Sequence, residues 1–543
     1  MNVARVRGAA VAACLVLPWL NPAAGGPSAV MQPWMISAVA ALLLWILIAP
    51  EVRRDRLYPG VAIAGAVMVI GGAAPPVLLA LAGLAVIATG AAIASASPAK
   101  PWVMRAVANA WVAAAMVSSL LAIAQYFGLS PQLAPWVNPT EPGEAFANLR
   151  QRNQFATLSS IGLAALLWKV QQGTAPVRSW ALPAAVLLAV ANAASASRTG
   201  ALQVILIVAL TRWWVRPTHR GVAAVCIAAI GAYVAAALLL PEILQQTTGV
   251  SAPNALRRLA SSDGCASRAV LWGNVVDLIA QRPWAGWGWG ELDYAHFATL
   301  YPGARFCDIL DNAHNLPLHL AVELGIPLAL LVCGGFVFWL VRQRPWRDAD
   351  PARQLAWSVI AVILLHSLLE YPLWYGPFQM AFGLALGLLA RRRAPEGKLI
   401  GTNTRHAIGA LLAAALLFTA WDYHRISQLY TPADQRSALY RGASPARMGD
   451  SWLFRDQLAF AELSITPLTR NNAVAIHALA MELLHYSPEP RVVEAAIESA
   501  MLVGREDQAL WLLARYRSAF PKEYEAWSAA NGLRGVPAEK IRD

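Results

Sequence analysis

Apolar residues in this chain come in long unbroken runs rather than in stripes, and Met31 to Ala49, Pro76 to Ala94 and Gly221 to Leu240 contain no charge at all. A bilayer core about 30 Å thick takes roughly 20 apolar residues of helix to cross. Such runs recur near 8–22, 31–50, 58–73, 76–96, 106–127, 154–170, 180–195, 200–214, 221–241, 315–341, 355–370, 373–390 and 406–421. They predict an all-α, polytopic transmembrane bundle of about twelve to thirteen spans. From about Asp422 the runs give way to a helical period, as in Ala473, Ile476, His477, Leu479, Ala480, Leu483 and Leu484. Helices are predicted near 472–485, 490–503, 505–519 and 521–531, with turn signals at Ser487-Pro488-Glu489-Pro490 and Phe520-Pro521 between them. Paired helices of this length form either a short TPR-like array or a plain helical bundle. The expected division is a membrane domain over 1–421, with long polar loops at 128–153 and 242–314, and a soluble helical domain over 422–543.

Composition agrees: 57% of the 543 residues are hydrophobic and only 14% charged, which excludes an ordinary soluble enzyme. The net charge of +12 would suit a nucleic-acid partner if the basic residues formed a patch. Instead they lie beside the membrane in alternate connections: Arg5 and Arg7, then 53–56, 100–105, 169–178, 212–220, 342–353 and 391–405. This is the positive-inside pattern, it needs no nucleic acid, and it makes those connections cytoplasmic. The loops 128–153 and 242–314 and the tail then fall on the outer side. Residues 1–25 read either as the first span or as a signal peptide, and the downstream spans keep the same orientation in both cases.

The outer segments hold most of the candidate chemistry. Loop 242–314 is far longer than a connection requires. It carries Arg257, Arg258, Ser267-Arg268, Arg282, the run Trp284-Ala285-Gly286-Trp287-Gly288-Trp289-Gly290, Asp308, Asp311 and Asn312-Ala313-His314-Asn315. Arg198 stands at the outer junction of two spans, where a charge near hydrocarbon is costly unless paired or hydrated. Each has a plain alternative, Arg198 as a snorkelling side chain and His314 as an interfacial polar residue. Together they suit one task, since guanidinium groups fork onto phosphate oxygens and an imidazole accepts a hydroxyl proton near neutral pH. Cys265 and Cys307 share the long loop, either as a disulfide or as two unpaired thiols. No Cys or His cluster has metal-ligand spacing and no phosphate-cradling Gly-rich loop occurs, so neither metal nor nucleotide cofactor is expected. Gly286, Gly288 and Gly290 are expected to allow tight turns among interfacial tryptophans.

The segment from Asp311 to Pro327, with His314-Asn315 and Glu323-Leu324-Gly325-Ile326, resembles the signature of the O-antigen ligase and polymerase superfamily. Ser197-Arg198-Thr199-Gly200 and Ser267-Arg268 through Leu271-Trp272 resemble its two arginine motifs. Ala147 to Leu158, which includes Gln151 and Asn153, is similar to the Gln-Pro-Asn segment of PglL-type protein O-oligosaccharyltransferases, with Arg152 where proline is usual. Leu368-Leu369-Glu370-Tyr371-Pro372-Leu373-Trp374 and the helical tail also look like that subgroup. The resemblance implies a glycosyltransferase of the bacterial inner membrane, working on its periplasmic side. The donor would be a preassembled glycan on undecaprenyl diphosphate and the acceptor a Ser or Thr hydroxyl of a periplasmic protein such as a pilin. Arg198 and Arg268 would clamp the diphosphate, with Arg257, Arg258 and Arg150 as secondary ligands. His314 would either take the acceptor proton or bind the diphosphate, and Gln151, Asn153, Asn315, Glu370 and Tyr371 would contact acceptor or glycan. For Gln151 and Asn153 the alternative is hydrogen bonding that shapes their loop. The nearest rival functions are ligation onto lipid A core and glycan polymerisation. A secondary transporter is a different class, for which ionisable residues deep in spans, such as His366, would be the sign.

Overall fold

The structure is a computed structural model that describes residues 3–23, 26–50, 52, 74–95, 101–173, 175–216, 219–251, 264–389 and 399–531. The span expected at 58–73, and Arg257 and Arg258, lie outside the described residues. The rest is all-α, with no strand among the described residues. In chain order the helices are α1 (Val3–Leu20), α2 (Met31–Ile48), α3 (Pro75–Ser95), α4 (Pro101–Tyr126), α5 (Arg152–Gln171), α6 (Ala175–Ala194), α7 (Arg198–Trp214) and α8 (Arg220–Thr248). Then come α9 (Arg268–Gln281), α10 (Leu292–Ala298), α11 (Leu316–Leu324), α12 (Ile326–Gln343), α13 (Pro351–Ser367), α14 (Gly376–Leu389) and α15 (Thr402–Ser427). A short α16 (Pro445–Met448) leads into α17 (Arg455–Ile465), α18 (Ala473–Leu483), α19 (Pro490–Leu502), α20 (Glu506–Ala519) and α21 (Pro521–Ala530).

Six of the described helical segments are long and apolar enough to cross a membrane, and Val6–Leu20 in α1, Ser179–Ala194 in α6 and Gly376–Leu389 in α14 are shorter apolar segments. The chain is a multi-pass membrane protein. Leu330, Leu331 and Phe338 on α12 and Leu411 and Leu417 on α15 are each at least 66% exposed, as befits surfaces whose solvent is lipid. One expected span is corrected. The run 315–341 is not one helix, because α11 ends at Gly325 and the membrane-length segment begins only at Ile326.

The chain forms two compact units. The first contains the described residues of Met1–Ile70, Leu79–Ser261 and Trp339–Phe418. Its hub is α5, packed against α4, α6, α7 and α13 and buried on every side from Gln154 to Leu167. A helix buried all round belongs in such an interior. The second unit contains the described residues of Gly71–Leu78, Ser262–Phe338 and Thr419–Asp543. Here the tail does not stand as a module by itself. Helices α17 to α21 stack each on the next around Ile476, Leu483, Val493, Ile497, Leu512 and Tyr516, and Phe297 of α10, from the long loop, enters that same core.

Candidate active site

Four of the five segments that look like family motifs are helix beginnings. The Gln151 side chain accepts from the Gln154 amide at 2.8 Å and caps α5, and Ser197 accepts from the Gly200 amide at 3.0 Å and caps α7. Ser267 accepts from the Val270 amide at 3.3 Å and caps α9, and Asn315 accepts from the Leu318 amide at 3.1 Å and caps α11. Arg198 and Arg268 are therefore the first residues of their helices, while His314 directly precedes a cap. None of these helices has an acidic residue in its first turn, so their positive dipole ends favour an anion. Sequence reasoning picked out the arginines and the histidine but missed the caps. For Ser197, Ser267 and Asn315 the available signal was a Ser or Asn just before an apolar helical run.

In the first unit a polar network surrounds Asn153. Ser197 Oγ donates to Asn153 Oδ1 at 2.6 Å, and Asn153 Nδ2 donates to Glu370 Oε1 at 3.3 Å. Below it Thr157 Oγ1 donates to the Asn153 carbonyl, meets His366 Nδ1 at 2.9 Å and accepts from Gln203 Nε2 at 2.8 Å. Asn153 and Glu370, expected to contact acceptor or glycan, are joined here to each other and through Ser197 to the turn directly before Arg198, an exposed residue among buried neighbours. Thr157 and Gln203 were not singled out because they lie inside apolar runs, and His366 was named only as the kind of residue a transporter would carry. The Arg150 guanidinium, half-buried, donates to the Pro22 carbonyl at 2.8 Å. Tyr371 stacks on Tyr375 with ring centroids 6.0 Å apart.

In the second unit the arms carrying Arg268 and His314 are tied together. Cys265 and Cys307 are joined by a disulfide, three residues before Arg268 and seven before His314. Trp272 Nε1 donates to the Ala313 carbonyl at 3.1 Å. Next to that carbonyl His314 takes φ 49°, the left-handed region, and its amide donates to Asn312 Oδ1 at 2.9 Å. A residue with a side chain is strained there, a state that persists only where neighbours enforce it.

The Trp-Gly run is stitched to the far end of α11. Trp287 N donates to the Val322 carbonyl at 2.9 Å, Gly288 N to the Glu323 carbonyl at 2.9 Å, and Ile326 N to the Pro283 carbonyl at 2.8 Å. Gly286, Gly288 and Gly290 all have positive φ, at 70°, 118° and 85°. At Gly286 and Gly325 the two backbones touch: a Cβ would lie 2.3 Å from the Glu323 carbonyl oxygen or 2.2 Å from that of Trp284.

Beneath the stitch His319 and Glu323, one turn apart on α11, are buried with Nε2 and Oε2 3.4 Å apart. That distance would suit an ion pair, but burial drives both to neutral forms. Burial pushes the Glu323 carboxyl up to about 8, against amide hydrogen bonds from Gly290 and Leu292 and with Glu291 and Asp311 adding to the rise. Burial likewise pushes His319 down to about 3, with His314 contributing. The signs differ. His319 contributes stability that is present above 6.5 and lost as pH falls toward 3, whereas that of Glu323 is present below 4.5 and lost as pH rises toward 8. Between about pH 6.5 and 8 the melting temperature of the detergent-purified protein is expected to fall more steeply for wild type than for Glu323→Gln. Parallel curves for the two proteins would show that Glu323 is ionised in the folded state.

Similarity to known proteins runs through the same segments. Residues 145–169 match the family described as protein glycosylation ligase, 183–333 the O-antigen ligase family, and 354–533 the C-terminal part of the virulence factor membrane-bound polymerase family. The chain is 25% identical over 329 residues to the general O-oligosaccharyltransferase of Acinetobacter baylyi, covering 58% of this chain and 56% of the relative. It is 26% identical over 250 residues to the ComP-specific O-oligosaccharyltransferase of the same organism, covering 46% of this chain and 44% of the relative. The matched region thus spans about half the length of each relative. Between residues 145 and 533 the chain resembles the O-antigen ligase and polymerase superfamily and, within it, the PglL-type protein O-oligosaccharyltransferases.

Proposed function

We propose that this protein transfers a preassembled glycan from undecaprenyl diphosphate to a Ser or Thr hydroxyl of a periplasmic protein such as a pilin, at the outer face of the bacterial inner membrane. The observation that carries the reading is the pair Arg268 and His314 on tied arms of one unit, Arg268 as the first residue of α9 and His314 directly before the cap of α11. In the reaction the bond from the glycan's anomeric carbon to the diphosphate oxygen breaks and the acceptor oxygen bonds to that carbon. The hydroxyl proton passes to the His314 imidazole. Undecaprenyl diphosphate leaves as an anion, and Arg268 with the positive end of α9 stabilises its charge. Arg198 is assigned to the same leaving group on its chemistry and its matching place at the start of α7.

The test is transfer by the purified protein from the lipid-linked glycan to pilin, read by intact mass. Arg268→Ala and Arg198→Ala are expected to slow it by about 10²–10³-fold, with Arg268→Lys intermediate because a point charge replaces a fork. Full transfer by either alanine variant would remove that arginine from the mechanism. A second reading comes from the O-antigen ligase and polymerase matches, in which the acceptor is lipid A core or a growing glycan. Offering all three acceptors side by side separates them.

A further inference from the structure

We propose that the helical tail holds the His314 segment in its working geometry, acting through α10. The inference rests on the reading of His314 as part of the active site. Helices α10 and α11 have only seven and nine residues, too few to be stable without tertiary support. The tail grips α10 at both ends. At its start His485, after α18, meets Glu291 Oε2 at 2.7 Å and stacks on Tyr294 with ring centroids 3.8 Å apart. At its end Arg515 of α20 donates through Nε to the Ala298 carbonyl at 2.8 Å, while its guanidinium lies 3.8 Å over the Trp511 ring. Between these grips Phe297 is buried in the core of the tail.

From α10 the connection to α11 is short. The Trp287 and Gly288 amides, a few residues before α10, donate to the Val322 and Glu323 carbonyls of α11. Trp289 lies edge-on to His319 at 5.7 Å. Helix α11 then runs back to Asn315 and His314. The tail, α10, Glu323 and His314 therefore form one continuous packed path within a single unit. Arg515, His485 and Glu291 are positioning residues here, and none of them is assigned contact with substrate.

The experiment compares wild type with Arg515→Ala and with the double variant His485→Ala/Arg515→Ala, both purified in detergent. Its probes are undecaprenyl-diphosphate-linked glycan alone, for acceptor-free hydrolysis, and the same donor with pilin. If the tail positions His314, kcat falls about tenfold or more in both reactions. The KM for pilin stays unchanged, and hydrogen exchange quickens in residues 311–324. If the tail only recruits acceptor, KM for pilin rises while donor hydrolysis and exchange in 311–324 stay as in wild type, and the proposal is overturned. Failure of the functional reading looks different, since wild type itself would then neither hydrolyse nor transfer, and the exchange measurement would still decide whether the tail holds the segment. Should the double variant not fold, Arg515→Ala alone carries the same comparison.

Discussion

Alanine in place of His314 is expected to lower glycan transfer by about 10²–10⁴-fold, the range for losing a positioned general base. The surroundings of the residue argue for an effect at the chemical step. Its left-handed backbone is held by Asn312, the next residue caps α11, and the preceding carbonyl is bound by Trp272, so three separate contacts fix where the imidazole starts. Equilibrium binding of the lipid-linked glycan separates the proposed role of His314 as proton acceptor from that of a diphosphate ligand. If the imidazole takes the acceptor proton, His314→Ala binds donor as wild type does and loses only turnover. Donor binding weakened in step with turnover would make it a diphosphate ligand instead. Transfer at the wild-type rate by a stably folded His314→Ala protein would exclude both.

The second large effect is structural. Gly325→Ala is expected to destabilise the second unit by about 3 kcal/mol or more, combining a strained left-handed residue with a steric clash. Gly325 has φ 83°, and its added Cβ would sit 2.2 Å from the Trp284 carbonyl oxygen, a backbone atom that no rotamer change can move. Relief requires parting the Trp-Gly run from the end of α11, which breaks the hydrogen bonds between 283–288 and 322–326. Gly303→Ala is the control, because no atom lies within 4 Å of its added Cβ, and an exposed substitution of that kind changes stability by about 0.5 kcal/mol at most. Thermal unfolding and protease resistance of the two purified variants measure the difference. Equal behaviour would mean that the stitch contributes little.

Much of the fold was legible because hydrophobicity over a helix-length window is a local property. Each expected span among the described residues has a helix at its place, and 472–531 contains the four helices that its periodicity announced. The run 315–341 departs from this only in its continuity. It is apolar enough for one span, yet Gly325 interrupts it because another segment of backbone, Pro283 to Gly288, must pass there. Nothing in residues 315–341 taken alone reveals that crossing. Helix α17 was missed as well, as were α9 and α10 in the segment expected to be a loop, since all three are too short or too polar for a span.

The candidate site divides in the same way. Arg198, Arg268, His314, Gln151 and Asn153 stand out in the sequence by type, order and resemblance. Their chemistry belongs to the side chains themselves, and the basic residues of alternate connections assign them an expected side of the membrane. What each is attached to came from the packing. It made Gln151 and Asn315 caps and linked Asn153 to Ser197 and Glu370. It buried His366 beside Thr157, and it joined the long loop to a tail more than a hundred residues downstream. Those relations depend on pairs of residues far apart in the chain, whose contact is set by how whole helices pack. A hydropathy window or a motif sees only neighbours, so the helices and the reactive groups could be read along the chain, while which of those groups hold one another in place emerged only from the folded molecule.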